Sequence, residues 1–173
     1  MDTSVPVGDA KHDLLGRIDT QALYQPFLEK LNALLNACAD RGWIYVVTGG
    51  GRSWEAQDAL YAKGRTAPGG IVTNAKGGQS PHNFYVAVDF VRHKGDSYEG
   101  KLVPDYDDKS FAVLGEEAAR LGLEWGGAWK SFKDTPHIQL PIKAKGYTWV
   151  QLAKILKKGG TAALFEELDK QSW

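Results

Sequence analysis

Cysteine is nearly absent from this chain, because Cys38 is the only one among 173 residues. A lone cysteine excludes an internal disulfide, and it also excludes a metal site built from clustered thiolates. Cys38 falls on the apolar face of a predicted helix, so we expect a small, buried hydrophobic side chain. Any metal site in this chain must therefore take its ligands from histidine and carboxylate side chains.

An excess of charge of one sign is also lacking, since 21 Lys and Arg side chains stand against 21 Asp and Glu side chains. A neutral chain without a basic run does not have the electrostatic footprint of a nucleic-acid-binding protein, so nucleic acid is excluded as a main partner. Long hydrophobic runs are missing as well, and the N-terminal segment shows no apolar stretch of the signal-peptide kind. We expect a monomer made in the cytoplasm without a signal peptide and without stable membrane insertion.

What the chain does contain is enough apolar material for one packed core. Apolar residues make up 43% of the sequence, and six Trp and six Phe supply bulk. The length and the absence of linkers or repeats predict a single domain over residues 1–173. Within it we expect an extended arm at residues 1–17 and C-terminal helices over residues 148–171. Interleaved helical and strand patterns predict a compact α+β fold.

Hydrophobic periodicity locates the individual elements. Apolar spacings of three and four residues predict three helices ahead of the C-terminal ones. These cover residues 20–41, 53–63 and 111–122. Runs rich in β-branched and aromatic residues predict three strands. These cover residues 43–48, 86–91 and 136–140. Residues 64–81 contain five Gly and two Pro, which predicts a long loop of the kind that is usually functional in a compact domain.

Two short segments carry side chains with metal chemistry. His82, Asp89 and His137 offer imidazole nitrogen and carboxylate oxygen, which are donors that zinc accepts. Three protein ligands leave the fourth tetrahedral position open for water, as in catalytic rather than structural zinc sites. Asp134 stands three residues before His137, and such a carboxylate can take the proton from that water.

Asp89 interrupts an otherwise apolar strand. Alternation along the strand predicts two faces. One carries Val86, Val88 and Phe90, and the other carries Ala87, Asp89 and Val91. An ionised carboxylate in such a strand needs a partner. A structural salt bridge would meet that need as well as a metal would, so the strand alone leaves both interpretations open.

The flanking residues form a longer pattern, which runs from about residue 52 to residue 140. It consists of Ser-x-His-x6-Asp at 80–89, Trp-Gly-Gly-x-Trp-Lys-Ser-Phe-x-Asp-x-Pro-His at 125–137, Gly-Arg-Ser-x-x-x-Gln at 51–57 and Leu-Tyr-Ala-x-Gly-Arg-Thr-x-Pro-Gly at 60–69. This combination resembles the VanY-type zinc peptidases. Within that group it is most similar to the L-alanyl-D-glutamate endopeptidases of phage endolysins and bacterial wall enzymes.

The resemblance implies a fold, an activity and a set of site residues. The fold would be the hedgehog/DD-peptidase-like one, with a small antiparallel sheet and packed helices. One zinc ion per chain would be held by His82, Asp89 and His137, and Asp134 would be the general base. Arg52 would lie in the cleft, paired with a substrate carboxylate or with the developing oxyanion. The substrate would be the peptidoglycan stem peptide, cut at its L-alanyl-D-glutamate bond in the cell wall or periplasm after another factor has delivered the protein across the membrane.

Two other functions stay open at this point. One is a D-alanyl-D-alanine carboxypeptidase with the same metal site, although glutamate commonly stands at the place of Asp134 in those enzymes. The other is a non-catalytic, metal-stabilised wall-binding module, against which the intact Asp134 argues.

Further residues carry predictions of less weight. Ser80 is either a turn residue or a group that binds substrate or orients a ligand. Tyr85 stands where the family usually has glycine, which leaves the local backbone or the shape of the cleft open and removes no ligand. Trp125 and Trp129 are predicted to form core and cleft wall. The two remaining histidines, His12 and His93, are expected to be solvated.

Overall fold

An antiparallel sheet of five strands runs through the computed structural model, which describes residues 22–95 and 101–173. The strands are β1 (Ile44–Gly49), β2 (Ala87–His93), β3 (Pro104–Asp105), β4 (Glu124–Trp125) and β5 (His137–Gln139). Their order is β1-β2-β5-β4, and β3 pairs with the far end of β2. The three predicted strands are present as β1, β2 and β5. The predicted arm at residues 1–17 lies outside the described residues.

Four helices pack around this sheet in the described part of the chain. They are α1 (Gln25–Asp40), α2 (Trp54–Ala62), α3 (Ala112–Arg120) and α4 (Trp149–Leu168). Helix α1 begins later than predicted, with Pro26 in its first turn, where a missing N–H costs nothing. Helix α4 is broken at Gly160, whose φ is 69°, where the sequence predicts two separate helices. No helix among the described residues is long and apolar enough to cross a bilayer.

The core lies between α1 and one face of the sheet. Val88 and Phe90 of β2 belong to it, together with Leu31, Leu34 and Cys38 of α1, and all five are at most 1% exposed. The predicted alternation along β2 and the predicted burial of Cys38 are therefore confirmed. Burying each Leu, Val or Phe contributes about 1.5–3 kcal/mol, so this face alone accounts for much of the fold's stability.

His93 is buried, and the expectation that it is solvated is wrong. Strand β2 continues to His93, which pairs with Ile44 on one side and Pro104 on the other. Its Nδ1 accepts a hydrogen bond from the backbone N–H of Val103 at 3.0 Å. The short strand β3, which carries no periodicity of its own, covers this end of β2 and removes the imidazole from solvent. His12 lies outside the described residues.

The sheet and its connections bring the site together. In the β2–β5 ladder Asp89 stands directly opposite His137. A short 3-10 helix, Pro81–Phe84, delivers His82 just ahead of β2. Residues 64–80 form the predicted loop, tied down by Arg65, whose guanidinium donates to the Thr73 carbonyl and to Asn74 Oδ1.

Candidate metal centre and active-site cleft

The three predicted ligands converge on one point. Asp89 Oδ1 lies 3.1 Å from His137 Nδ1 and 3.3 Å from His82 Nε2. The candidate ligand atoms of all three residues lie within 4.8 Å of one another. Tetrahedral ligands about 2.1 Å from a shared zinc ion would be roughly 3.4 Å apart, so the two measured separations match zinc coordination closely.

The second nitrogen of each imidazole is also occupied, and this decides which nitrogen faces the centre. His82 Nδ1 lies 2.8 Å from the carbonyl oxygen of Gly50, and His137 Nε2 lies 2.9 Å from Gln139 Oε1. Carbonyl oxygens only accept hydrogen bonds, so each of these nitrogens carries the proton. The lone pairs of His82 Nε2 and His137 Nδ1 are then both directed towards Asp89. This donor set and its outer partners fit a bound zinc ion.

The electrostatics of the centre favour a cation. Burial alone would raise the pKa of Asp89, but the imidazoles of His82 and His137 outweigh it and hold that pKa well below its usual range. Burial likewise opposes a charged His137, but the hydrogen bond and the charge of Asp89 raise the pKa of His137. The Asp89 carboxylate therefore favours positive charge beside it, which is what a bound metal ion would supply.

Asp134 lies beside the metal centre, in the turn that leads into β5. Its backbone N–H donates to the Gly126 carbonyl, and its own carbonyl accepts from the His137 N–H, both at 3.1 Å. A Cβ atom at position 126 would overlap the Asp134 carbonyl, so this turn requires glycine there. Burial and the nearby charge of Asp89 raise the pKa of Asp134, while the two histidines partly oppose the shift. A raised pKa brings a carboxylate closer to the optimum for a general base.

Arg52 approaches the centre through Asp89. Its Nη1 donates to Gln57 Oε1 at 2.8 Å, and its Nη2 lies 3.9 Å from Asp89 Oδ2. Gln57 is fully buried and donates in turn to the Ala75 carbonyl, so the guanidinium is held in place by a fixed partner. Gly49, opposite Asp89 in β1, has no Cβ because one would come within 2.7 Å of Asp89 Oδ2.

Ser80 is buried at the edge of the site, where its backbone N–H faces Asn83 Oδ1 at 3.4 Å. The nitrogens of His82 face Gly50 and Asp89, and those of His137 face Asp89 and Gln139. Neither imidazole nitrogen therefore contacts Ser80, which stands at the N-cap of the 3-10 helix Pro81–Phe84 in agreement with the turn interpretation, and contact with substrate stays a prediction.

These residues open onto a single cleft of about 470 Å³. All six predicted site residues line it, namely Arg52, Ser80, His82, Asp89, Asp134 and His137. Trp129 forms one wall, with its ring centroid 5.3 Å from that of His137, as predicted for a cleft-wall residue. Val72 and Phe132 also line the cleft and are largely exposed. The cleft therefore combines polar side chains at the metal centre with exposed apolar side chains, a combination typical of ligand-binding clefts.

Comparison with known proteins identifies the family. A family model described as peptidase M15, D-alanyl-D-alanine carboxypeptidase, matches residues 73–140. Over 119 residues the chain is 43% identical to the peptidoglycan L-alanyl-D-glutamate endopeptidase CwlK of Bacillus subtilis, a match that covers 65% of this chain and 70% of CwlK. The chain belongs to the peptidase M15 family. The peptidases of this family are metal-dependent, and the His82, Asp89 and His137 group is able to hold the metal.

A further relative and a solved structure are also similar to this chain. The L-alanyl-D-glutamate peptidase of Listeria phage A118 is 37% identical over 68 residues, which are 39% of this chain and 23% of the phage protein. The crystal structure of the Serratia marcescens L-Ala D-Glu endopeptidase ChiX superposes with a TM-score of 0.57 at 19% identity. That match covers 84% of this chain and 96% of ChiX, and it confirms the predicted α+β fold.

Tyr85, the departure of this M15 peptidase from the family pattern, keeps the backbone that glycine would adopt. Its φ of 59° and ψ of 30° are left-handed, an uncommon conformation for a non-glycine residue. The ring covers Gly51, where a Cβ atom would overlap it, and meets Phe165 of α4 edge-on at 6.3 Å. Ring packing thus stabilises a left-handed backbone that glycine adopts freely, and the effect of Tyr85 on the shape of the cleft stays a prediction.

Several groups around the metal centre are missing from the sequence-based predictions. The Gly50 carbonyl is a backbone atom, and no side-chain pattern can reveal it. Gln139 shares a strand face with His137, so the alternation in residues 136–140 was a usable signal. Glu124, which contacts Gln139, lies on a strand of two residues that leaves no periodicity to detect.

Proposed function

We propose that this M15 peptidase is a zinc-dependent endopeptidase that hydrolyses the L-alanyl-D-glutamate bond of peptidoglycan stem peptides. The observation that carries the proposal is the convergence of His82, Asp89 and His137 in one cleft with Asp134. The choice of bond is supported by the relatives, since CwlK, the phage A118 peptidase and ChiX are all named for it.

His82 Nε2, the Asp89 carboxylate and His137 Nδ1 would hold one zinc ion per chain. When bound, zinc acts as a Lewis acid that polarises the scissile carbonyl and lowers the pKa of the attacking water. Asp89 offsets part of the charge of the ion. The outer partners of the two histidines, Gly50 and Gln139, keep both imidazoles in the tautomer that binding requires.

Asp134 accepts the proton of the attacking water and passes it to the leaving amine of D-glutamate. Its place in the cleft and its raised pKa support this role. Arg52, held by Gln57, supplies the positive charge that pairs with a substrate carboxylate or with the developing oxyanion. Ser80 contacts the bound peptide at the edge of the cleft.

The substrate places the action of this peptidase at the cell wall. We propose a monomer with the stem peptide as its partner, which reaches the wall or periplasm when another factor opens the membrane. Neither nucleic acid nor stable membrane insertion has a part in this function.

A D-alanyl-D-alanine carboxypeptidase is the second candidate, and the description of the matching family model favours it. Digestion of purified disaccharide-pentapeptides, whose stems end in D-alanyl-D-alanine, followed by mass spectrometry, separates the candidates. The endopeptidase releases a free peptide that begins with D-glutamate and leaves L-alanine on the muramyl sugar. A carboxypeptidase removes only the terminal D-alanine, and a binding module leaves the muropeptide intact. Chelation should abolish the endopeptidase products, and added zinc should restore them.

A further inference from the structure

A chain of hydrogen bonds leads away from the metal centre and returns to it. His137 Nε2 lies 2.9 Å from Gln139 Oε1, and Gln139 Nε2 donates to Glu124 Oε2 at 3.2 Å. The other oxygen of Glu124 accepts from Trp129 Nε1 at 2.7 Å. The indole of Trp129 lies in turn against the imidazole of His137, with a centroid separation of 5.3 Å. These four side chains, which we call the Glu124 network, form a closed ring of contacts.

The register of the sheet explains why the network exists. Glu124 of β4 is the direct partner of Gln139 of β5, and Asp89 of β2 is the direct partner of His137. His137 and Gln139 are two residues apart on one strand, so their side chains share a face. Glu124, opposite Gln139, points to that same face. The network is therefore built on paired strands, which hold side chains more firmly than loops do.

Glu124 determines how the amide of Gln139 is oriented. An amide side chain can offer either its oxygen or its NH₂ group to a neighbour, whereas a carboxylate only accepts hydrogen bonds. Glu124 therefore takes the NH₂ group of Gln139, and this turns Oε1 towards His137. That oxygen only accepts, so the proton of a neutral His137 stays on Nε2. The lone pair on Nδ1 is then left for the metal.

We infer that Glu124 is a positioning residue that sets the tautomer of His137 through Gln139 and, by binding Trp129, holds the cleft wall against the same imidazole. The inference rests on the proposed metal site and adds to it a carboxylate that is not one of the candidate metal ligands. Outer partners of metal-binding histidines typically contribute about 10- to 100-fold in metal affinity. Glu124 acts one hydrogen bond further out than such a partner.

A purely structural role is the competing explanation. In that case Glu124 would only join the short edge strand to its neighbours, and its loss would lower stability without a selective effect on metal binding. The two explanations predict different zinc affinities when the carboxylate and the amide are exchanged between positions 124 and 139.

The test uses the full chain and the zinc dissociation constant, measured by competition with a chromophoric chelator. Glu124→Gln keeps the size of the side chain but no longer forces the orientation of the Gln139 amide, so we expect zinc affinity to fall by about 10- to 100-fold. The double variant E124Q/Q139E restores one consistent order of donors and acceptors along the Glu124 network. The carboxylate at position 139 accepts hydrogen bonds from His137 and from the amide at position 124. The oxygen of that amide accepts the hydrogen bond from Trp129. We expect its zinc affinity to return to within about threefold of wild type.

Glu29→Gln, on the exposed surface of α1, is the matched control for removal of one negative charge, and its affinity should not change. Melting temperatures of the metal-free proteins report separately on the fold. Wild-type affinity in Glu124→Gln, or a double variant that binds zinc as weakly as Glu124→Gln, would overturn the inference and leave the proposed function intact. A wild-type protein that binds no zinc would overturn both.

Discussion

The two faces of strand β2 differ in what they demand of their residues. On one face Val88 and Phe90 are buried in the core, and their contribution depends on apolar area and volume. On the other face Asp89 keeps 28% of its side chain exposed and meets two imidazoles through one oxygen atom. Substitution of Val88 or Phe90 should lower stability and leave catalysis unchanged. Substitution of Asp89 should impair catalysis and leave most of the stability unchanged.

The largest effect is expected from removal of a ligand. Asp89→Ala, His82→Ala and His137→Ala should each abolish zinc binding and muropeptide hydrolysis together, because two protein ligands rarely hold a catalytic zinc. Zinc content by atomic absorption and turnover, measured on the same samples, check this. Full and tight zinc binding in all three variants would show that the ligands have been assigned wrongly.

Asp134→Ala should separate catalysis from metal binding on the same side of the sheet. Removal of a general base typically lowers turnover by about 100- to 10,000-fold, and we expect zinc content to stay at one ion per chain. Asp134→Glu should retain part of the activity, because the carboxylate survives with a different reach. A rate near that of wild type in Asp134→Ala would mean that another residue is the base. Loss of zinc would mean that Asp134 is itself a ligand.

The contrast between the faces of β2 also explains what the sequence could predict. The apolar face was predictable from its period-two alternation, and the candidate ligand set from donor types together with the resemblance to the VanY-type peptidases. Of the outer groups, Gln139 left a signal in its alternation with His137, whereas the Gly50 carbonyl carries no side chain and Glu124 lies on a two-residue strand. His93 was misjudged for a related reason, because its covering strand β3 is equally short.

On the core face, Val88→Ala should reduce stability by on the order of 2 kcal/mol and leave zinc stoichiometry unchanged. The reactivity of Cys38 reports directly on this loss of stability, because burial raises the pKa of its thiol to about 12 and the side chain is fully buried. A thiol reagent at pH 8 should therefore react only with opened molecules. Labelling of Val88→Ala should be roughly 30-fold faster than wild type, and that of Asp134→Ala should be unchanged. Equal labelling rates in the two variants would contradict the separation of the faces.

The smallest effect is expected at Tyr85, which lies two residues ahead of β2 and touches both sides of the comparison. Its ring contacts Phe165 of the core helix α4 and covers Gly51, next to the Gly50 carbonyl that binds His82. Tyr85→Gly relieves a left-handed backbone that costs a non-glycine residue about 1 kcal/mol, but it also removes the packing of the ring.

These two contributions oppose each other, so we expect a net stability change within about 1 kcal/mol in Tyr85→Gly. Zinc affinity should be unchanged, and turnover or KM should change only modestly, because Arg52 loses a rigid neighbour in the turn. Tyr85→Asn is the matched control, since asparagine tolerates the left-handed backbone but provides no ring. Melting temperature, zinc affinity and steady-state kinetics of the two variants separate the effect of the backbone from that of the ring. Loss of zinc in both variants would mean that the ring, and not the sheet, holds His82 and its carbonyl partner in register.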